Sequence, residues 1–390
     1  MLLSRVDPIS KSTGSEMLRF FRSVARGTFE VFSGWASWPL GLNLFLVTPF
    51  LLGTSWGRRL QKYLVASSRR RWTNRLKAGR QVWAGPFVGE VGYELSYWIP
   101  FVRSLQVKAG AKPDSVGIVT RGGAQAWYPQ HGESFELLDV FTPEQYLEIQ
   151  SAEWPIALRR QERKLVRDLG ISRRSLMHPR EMHLAIHAFR GGRESLESTL
   201  QLLEFASLQL RPSVADSLSE RERLMISNLP REFCALRLYS NSMLGGPENV
   251  ELAWESILQS TRREFVDLAT NLQLDDHQSS RISRKLVAAP LLGCRPSVNL
   301  LLQTLILSRA SCFVSTYGGI SYLGPLLKVP TLVLSLSSAK QKPAHVEMEN
   351  HLADLSDVAY ERAHLDDPQF HQQLKRFLKR HTVGPTGIVI

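Results

Sequence analysis

Glu90 stands inside a glycine-bearing turn, Gly85-Pro86-Phe87-Val88-Gly89-Glu90-Val91-Gly92-Tyr93-Glu94-Leu95. A carboxylate held between Gly89 and Gly92 could take a proton from an incoming hydroxyl, the task of a general base. The competing reading is a helix N-terminal carboxylate favoured by the dipole. Glu94 lies one helical turn further on and reads better as a structural pairing residue. A second group stands far along the chain. Cys312-Phe313-Val314-Ser315-Thr316-Tyr317-Gly318-Gly319-Ile320-Ser321-Tyr322-Leu323 has the pattern of a buried strand, a glycine turn and a helix start. A helix N-terminus at a strand end would offer free N–H groups to an anion such as a phosphate. An ordinary strand–turn–helix with no ligand is the alternative. Arg237 falls near the end of another apolar run, 233–239. Its planar fork suits a diphosphate, which it would bind bidentately; an internal salt bridge is the alternative. Arg121, after the run 116–120, is a weaker counterpart. Asp275-Asp276-His277 could reach a ribose or a base, or form a polar surface loop.

These residues need elements to hold them. Residues 81–84 read as a strand, followed by the glycine turn, a helix through about residue 105 and a strand at 116–120. Strand–helix–strand spacing of this kind implies a parallel sheet. Residues 150–225 read as helical and charge-rich, with Arg159, Arg160, Arg163, Lys164 and Arg167 along one helix. That run is a solvated face or a contact for an anionic lipid or acceptor. After Leu229-Pro230 a second set opens. It has a strand at 233–239, a helix at 251–264, a short strand at 286–289, an apolar helix at 298–308 and a strand at 330–334. A basic amphipathic helix at 367–381 is expected to cross back to the first half. The fold class is therefore α/β in two domains facing a cleft, behind an N-terminal helical, membrane-associating segment. The divisions are 1–80, 81–228 for the acceptor, 229–366 for the donor, and 367–390.

Composition narrows the function. The chain has 390 residues, 43% of them hydrophobic, enough for two domains. Cys234, Cys294 and Cys312 are widely spaced in apolar segments and fit neither a disulfide framework nor a zinc site, which points to a reducing compartment. The first glycine turn lacks the Gly-x-Gly-x-x-Gly spacing, no phosphate-loop Lys-Ser/Thr occurs, and no metal-ligand cluster stands out. The net charge is +12, but residues 1–80 hold 14 Lys and Arg against 3 Asp and Glu. The remainder holds 34 against 33. A near-neutral body argues against nucleic acid as a partner, and a local basic segment points to an anionic membrane surface. Residues 31–57 carry no charge and include Trp35, Trp38 and Trp56, which suit the membrane interface. The run is long enough to cross a bilayer, but Pro39 and Pro49 favour a kinked, re-entrant or surface-lying segment. Residues 17–32 could form an amphipathic helix before it. The alternative is a helical hairpin packed on the body. Basic flanks on both sides place the body on the cytoplasmic side of the inner membrane.

Several pieces together resemble a family of little-characterised bacterial glycosyltransferase-like proteins of GT-B type. They are the turn from Gly85 to Leu95, Thr120-Arg121-Gly122-Gly123 with Trp127-Tyr128, and Leu236-Arg237-Leu238-Tyr239-Ser240. Asp275-Asp276-His277, Asn299-Leu300-Leu301-Leu302-Gln303, and Phe313 to Leu323 with Pro325 complete the set. The resemblance implies two Rossmann-like domains and a nucleotide-sugar donor held mostly by the C-terminal one; such enzymes commonly need no metal, and no cofactor beyond that co-substrate is expected. The resemblance identifies neither the base nor the acceptor; the reading of the residues above makes Glu90 the catalytic base, acting on a hydroxyl of a glycan or lipid-linked acceptor in cell-surface polysaccharide synthesis. The expected donor contacts are Gly89, Gly92, Arg237, Tyr239, Asp276, His277, Thr316, Tyr317, Gly318, Gly319, Ser321 and Tyr322. Glu94, Arg121, Trp127 and Tyr128 are the expected acceptor or phosphate contacts. A pyruvyl or phosphosugar transferase on the same fold, and a non-catalytic membrane scaffold, are the alternatives.

Overall fold

The structure is a computed structural model. It describes residues 55–381 apart from 129–130, 151–159, 180, 183–196, 198–199, 207, 209, 211–215, 271–277, 280–290, 292 and 342. The amphipathic stretch 17–32, most of the apolar stretch 31–57, the expected strand 286–289 and the residues Asp275, Asp276 and His277 lie outside the described residues. Among the described residues no helix is long and apolar enough to cross a membrane.

The first half begins with helix α1 (Ser55–Lys77) and strand β1 (Val82–Ala84). Helix α2 then runs as Val91–Tyr93, a π turn at Glu94–Trp98, and Ile99–Ala109, ending on a left-handed Gly110. Strands β2 (Val116–Thr120) and β3 (Ser134–Glu136), helices α3 (Pro143–Gln150) and α4 (Arg160–Asp168), and strand β4 (Leu176–Met177) follow. The sheet order is β3-β2-β1-β4, every pair parallel. Side chains alternate across it, as the strand period of two requires. Val82, Ala84, Val116 and Ile118 face one core with α1 and α2. Trp83 and Val119 face another with α3 and α4.

The second half opens with helix α5 (Glu220–Ser227), started by a capping box between Ser219 and Glu222. Strands β5 (Cys234–Arg237) and β6 (Tyr239–Ser240), helix α6 (Pro247–Ser260), strands β7 (Phe265–Asp267) and β8 (Gln278–Ser279), helix α7 (Asn299–Leu307) and strand β9 (Cys312–Thr316) come next. Helix α8 (Leu323–Leu326), strand β10 (Thr331–Ser335), helix α9 (Pro343–Ser356), strand β11 (Tyr360–His364) and helix α10 (Phe370–Arg380) complete it. The parallel sheet has the order β11-β10-β9-β5-β7, and β6 pairs with β8 antiparallel. The chain moves from β5 out to β7 and returns on the other side at β9. That reversal is the switch point at which ligands bind in open α/β sheets, outside the carboxyl ends of the strands. Arg237 and Ser315 are the last paired residues there.

One core runs through both halves. It joins Trp72 and Trp98 of the first to Leu301, Phe313 and Tyr322 of the second. The opposite face of the second sheet has its own core, where Cys234, Val314 and Leu332 meet Trp254 of α6 and Leu374 and Phe377 of α10. The tail helix therefore does not cross to the first half. Arg263 fastens it in place, donating to the carbonyls of Leu378 at 3.1 Å and His381 at 2.8 Å. Helix α6 starts earlier than the sequence suggests, because Pro247 at its first turn presets the helical φ. It ends before 264 because the chain must straighten into β7.

Candidate functional site

The carboxyl edges of the two sheets meet around a cavity of about 350 Å³. From the first half come Gly89, Glu90, Gly92 and Arg121; from the second come Arg237, Tyr239, Tyr317, Gly318, Gly319 and Tyr322. The two glycine turns, 227 residues apart in sequence, touch directly. A Cβ on Gly92 would lie 2.7 Å from the Cα of Gly319. Only glycine on both sides allows backbones to come this close. Glu90 is the N-cap position of α2, makes no side-chain cap bond, and is exposed at the rim.

Arg237 is 7% exposed, on the wall formed by the end of β5. Its guanidinium stands 5.2 Å from the centre of the Tyr239 ring, a cation–π distance. Thr316 lies behind this wall, fully buried. Its hydroxyl accepts from the Tyr239 N–H and donates to the Tyr239 carbonyl, both at 3.0 Å. It thus pins the chain leaving β5 to the end of β9. Ser321 is also behind the wall, donating to the Gly318 carbonyl at 2.7 Å and lying 3.0 Å from the Tyr360 hydroxyl. Neither Thr316 nor Ser321 lines the cavity.

The helix expected after the glycine turn is present, but half of it is 3-10. Gly319–Tyr322 is a 3-10 turn, α8 has four residues, and Lys328 at φ 60 turns the chain toward β10. The N–H of Ser321 is spent on the Gly318 carbonyl at 3.0 Å. So short a helix carries little dipole. Positive charge on this wall comes from the Arg237 side chain instead.

Glu94, Trp127 and Tyr128 do not line the cavity. Glu94 is fully buried, salt-bridged to Arg121, and accepts from the Tyr128 hydroxyl at 2.8 Å. Arg121 also donates to the Gly89 carbonyl at 2.8 Å, so it holds the glycine turn that carries Glu90. Burial alone would disfavour its charge, but the adjacent Glu94 carboxylate outweighs that and raises its pKa. Arg121 reaches the cavity wall as one half of an ion pair, which leaves it less charge for a phosphate. Trp127 is buried, and its indole N–H donates to Thr304 of α7 at 2.9 Å, a contact between the halves.

A buried network supports the tyrosines. Glu349 of α9 accepts from the Tyr322 hydroxyl at 3.1 Å and from Arg362 at 2.6 Å. Burial raises its pKa, and burial likewise pushes up Tyr97, which comes from the π turn of the first half. Asn241 and His345, which the sequence pattern does not single out, also line the cavity, as do Asn299 and Gln303 of the run 299–303. Asn241 accepts from the N–H groups of Met243 and Leu244, each at 2.9 Å, and donates to the Tyr317 carbonyl at 2.9 Å. The signal for it was local: an Asn after a strand, heading a Ser- and Gly-rich loop before Pro247, is typical turn chemistry. Gln303 donates to Asn299 at 2.9 Å, one turn apart on α7. Among the described residues no group of three or more His, Cys, Asp or Glu is placed to hold a metal ion.

No protein-family model matches the chain, and no curated protein sequence matches it. Among solved structures it is similar to UDP-GlcNAc 2-epimerase from Methanocaldococcus jannaschii, at 14% identity and a TM-score of 0.29, over 73% of this chain and 74% of that one. It is also similar to E. coli heptosyltransferase WaaC with ADP, at 12% identity and a TM-score of 0.39, over 77% of this chain and 99% of that one. Likeness at these values carries no functional argument, and what the cleft does must be read from its own residues.

Proposed function

We propose that the chain is a glycosyltransferase that moves a sugar from a nucleotide-sugar to a hydroxyl of a glycan or lipid-linked acceptor. The observation that supports this most is the cavity at the β5–β9 switch point. Arg237 stands on one wall, and Glu90, from the other sheet, stands at the facing rim. Its volume, about 350 Å³, suits a small-molecule ligand. In this reading Arg237 meets the donor diphosphate and stabilises charge on it as it leaves. Tyr239, Tyr317, Gly318 and Gly319 shape the donor wall. Glu90 removes the proton from the acceptor hydroxyl as the new glycosidic bond forms. A single displacement of this kind inverts the anomeric carbon. No resident metal or other cofactor takes part, so turnover should survive a chelator. Cell-surface polysaccharide synthesis at the cytoplasmic side of the inner membrane is the setting this acceptor class suggests.

The test is a thermal-shift screen of the full-length chain against UDP, GDP, ADP, CMP and their sugars. A ligand at 100 times its dissociation constant adds about 2.7 kcal/mol by linkage. One nucleotide should raise the melting temperature of the wild type and leave Arg237→Ala unmoved. With that donor, Glu90→Gln should abolish turnover and keep the thermal shift. A well-folded protein that responds to none of these nucleotides overturns the reading.

A further inference from the structure

A second hollow, of about 540 Å³, lies away from the cleft, between the C-terminal end of α1 and the loop that enters β4. Five arginines line it: Arg71, Arg75, Arg80, Arg173 and Arg174. Arg173 continues into an adjoining hollow of about 250 Å³, where Arg163 and Arg167 of α4 stand. Among the described residues neither hollow has an acidic residue in its lining. Glu181 is a carboxylate that reaches this region; it accepts from Arg71 at 3.1 Å and from Ser68. Arg80, Arg173 and Arg174 are exposed. Burial and then repulsion from Arg80, Arg71 and Arg174 lower the pKa of Arg75, so the charges crowd one another. An anion would relieve that crowding.

We propose that this arginine face docks the protein on a bilayer surface through the phosphate headgroups of anionic phospholipids. Two observations choose lipid over nucleic acid. First, α1 is continuous with the uncharged stretch 31–57 and its three tryptophans. The helix itself holds eight Lys and Arg and no acidic residue. Basic clusters beside an apolar membrane-seeking segment read as sites for anionic lipid. A 23-residue helix is about 35 Å long at 1.5 Å per residue, so lying along a membrane it brings both ends to the headgroups together. Second, single-stranded nucleic acid is gripped by exposed aromatics stacked on bases. Here the aromatic beside the arginines is Trp72, which is 1% exposed and packed in the core with Arg71 over its ring. The docking face does not depend on which reaction the cleft performs.

The experiment is co-sedimentation of the full-length chain with vesicles of phosphatidylcholine alone and of phosphatidylcholine mixed with phosphatidylglycerol. Each basic residue at an anionic surface is worth about fivefold in partitioning. The triple variant Arg80→Glu, Arg173→Glu, Arg174→Glu should therefore lose at least about tenfold on the mixed vesicles and nothing on the neutral ones. The matched variant Lys375→Glu, Arg376→Glu, Lys379→Glu changes net charge equally on the exposed face of α10 and should behave as wild type. Equal loss in both variants, or no loss in the first, overturns the proposal. So does a short RNA or DNA duplex that binds the wild type more tightly than the mixed vesicles and fails to bind the first variant. Should the reversal variant melt early, Arg173→Ala with Arg174→Ala gives the same comparison.

Discussion

Placing a methyl group between the two glycine turns tests the arrangement of the cleft directly. In Gly319→Ala the new Cβ would sit 2.8 Å from the Cα of Gly92 and closer still to its amide nitrogen. Non-bonded carbons rest at about 3.5–4.0 Å. The atoms in the way are backbone on both sides, so no rotamer change relieves the overlap. The two turns must move apart by about 1 Å or strain around the methyl. Overpacking of this kind costs about 1–3 kcal/mol. At about 1–2 °C per kcal/mol for a cooperative unit of this size, the melting temperature should fall by roughly 1–6 °C. Function should suffer more than stability, because Arg237 and Glu90 sit on opposite sides of the displaced contact. A shift of about 1 Å at a reacting centre can cost roughly a hundredfold in rate. The assay is thermal unfolding of the full chain with and without the nucleotide found in the screen, then turnover. Gly110→Ala is the reference. It has a left-handed φ of 58 but open space at the Cβ position, so it reports only the backbone cost, about 1–2 kcal/mol. If Gly319→Ala melted with the wild type and kept its nucleotide response, the two turns would not be in contact in solution.

Two further outcomes follow from the buried charges. Arg121→Met leaves the fully buried Glu94 carboxylate without its cation and should cost about 3–5 kcal/mol in denaturant unfolding; adding Glu94→Gln should recover part of that. A double variant no more stable than the single one would show that the ion pair is not the source of the loss. Burial alone would raise Glu222, yet hydrogen bonds from Arg295 and the capping Ser219 hold it down to about 2. A carboxylate depressed in the folded state contributes stability that is complete above its unfolded value, near 4.5, and fades as pH falls toward 2. Glu222→Gln should flatten that part of the acid limb, and acid limbs of identical slope would remove Glu222 from this role.

What could be read from the sequence was local and periodic. The apolar run 116–120 is β2 to the residue, because strands of a buried parallel sheet are apolar on both faces. The pairing role of Glu94 was legible too, since a carboxylate one turn inside an apolar helix needs a partner. Contacts that close over long distances in sequence were not. Trp127 beside a glycine turn looked available to an acceptor, yet its partner Thr304 is 177 residues away. Thr316 and Ser321 sit in the turn that the pattern singles out, but which of its side chains face the cavity is set by β6 and β11 beside them. The helix expected after Gly319 opens as a 3-10 turn where it fits against Gly92, a constraint no local window contains. Gln303 stands in the run 299–303 with no role assigned to it, His345 carried no spacing signal, and both reach the cavity through the packing of α7 and α9.

The core that runs through both halves has a consequence for synthesis. Chains commonly fold domain by domain as they leave the ribosome, N-terminal part first. Here Trp98 and Trp127 of the first half are covered by Leu301, Leu305 and Tyr322, which are made some two hundred residues later. Until then the nascent first half presents an apolar face with nothing to cover it, and pairings this distant in sequence form slowly. A chain interrupted before α7 would therefore be an aggregation hazard rather than a free-standing first half. The two walls of the cleft must be completed together, in one late cooperative step.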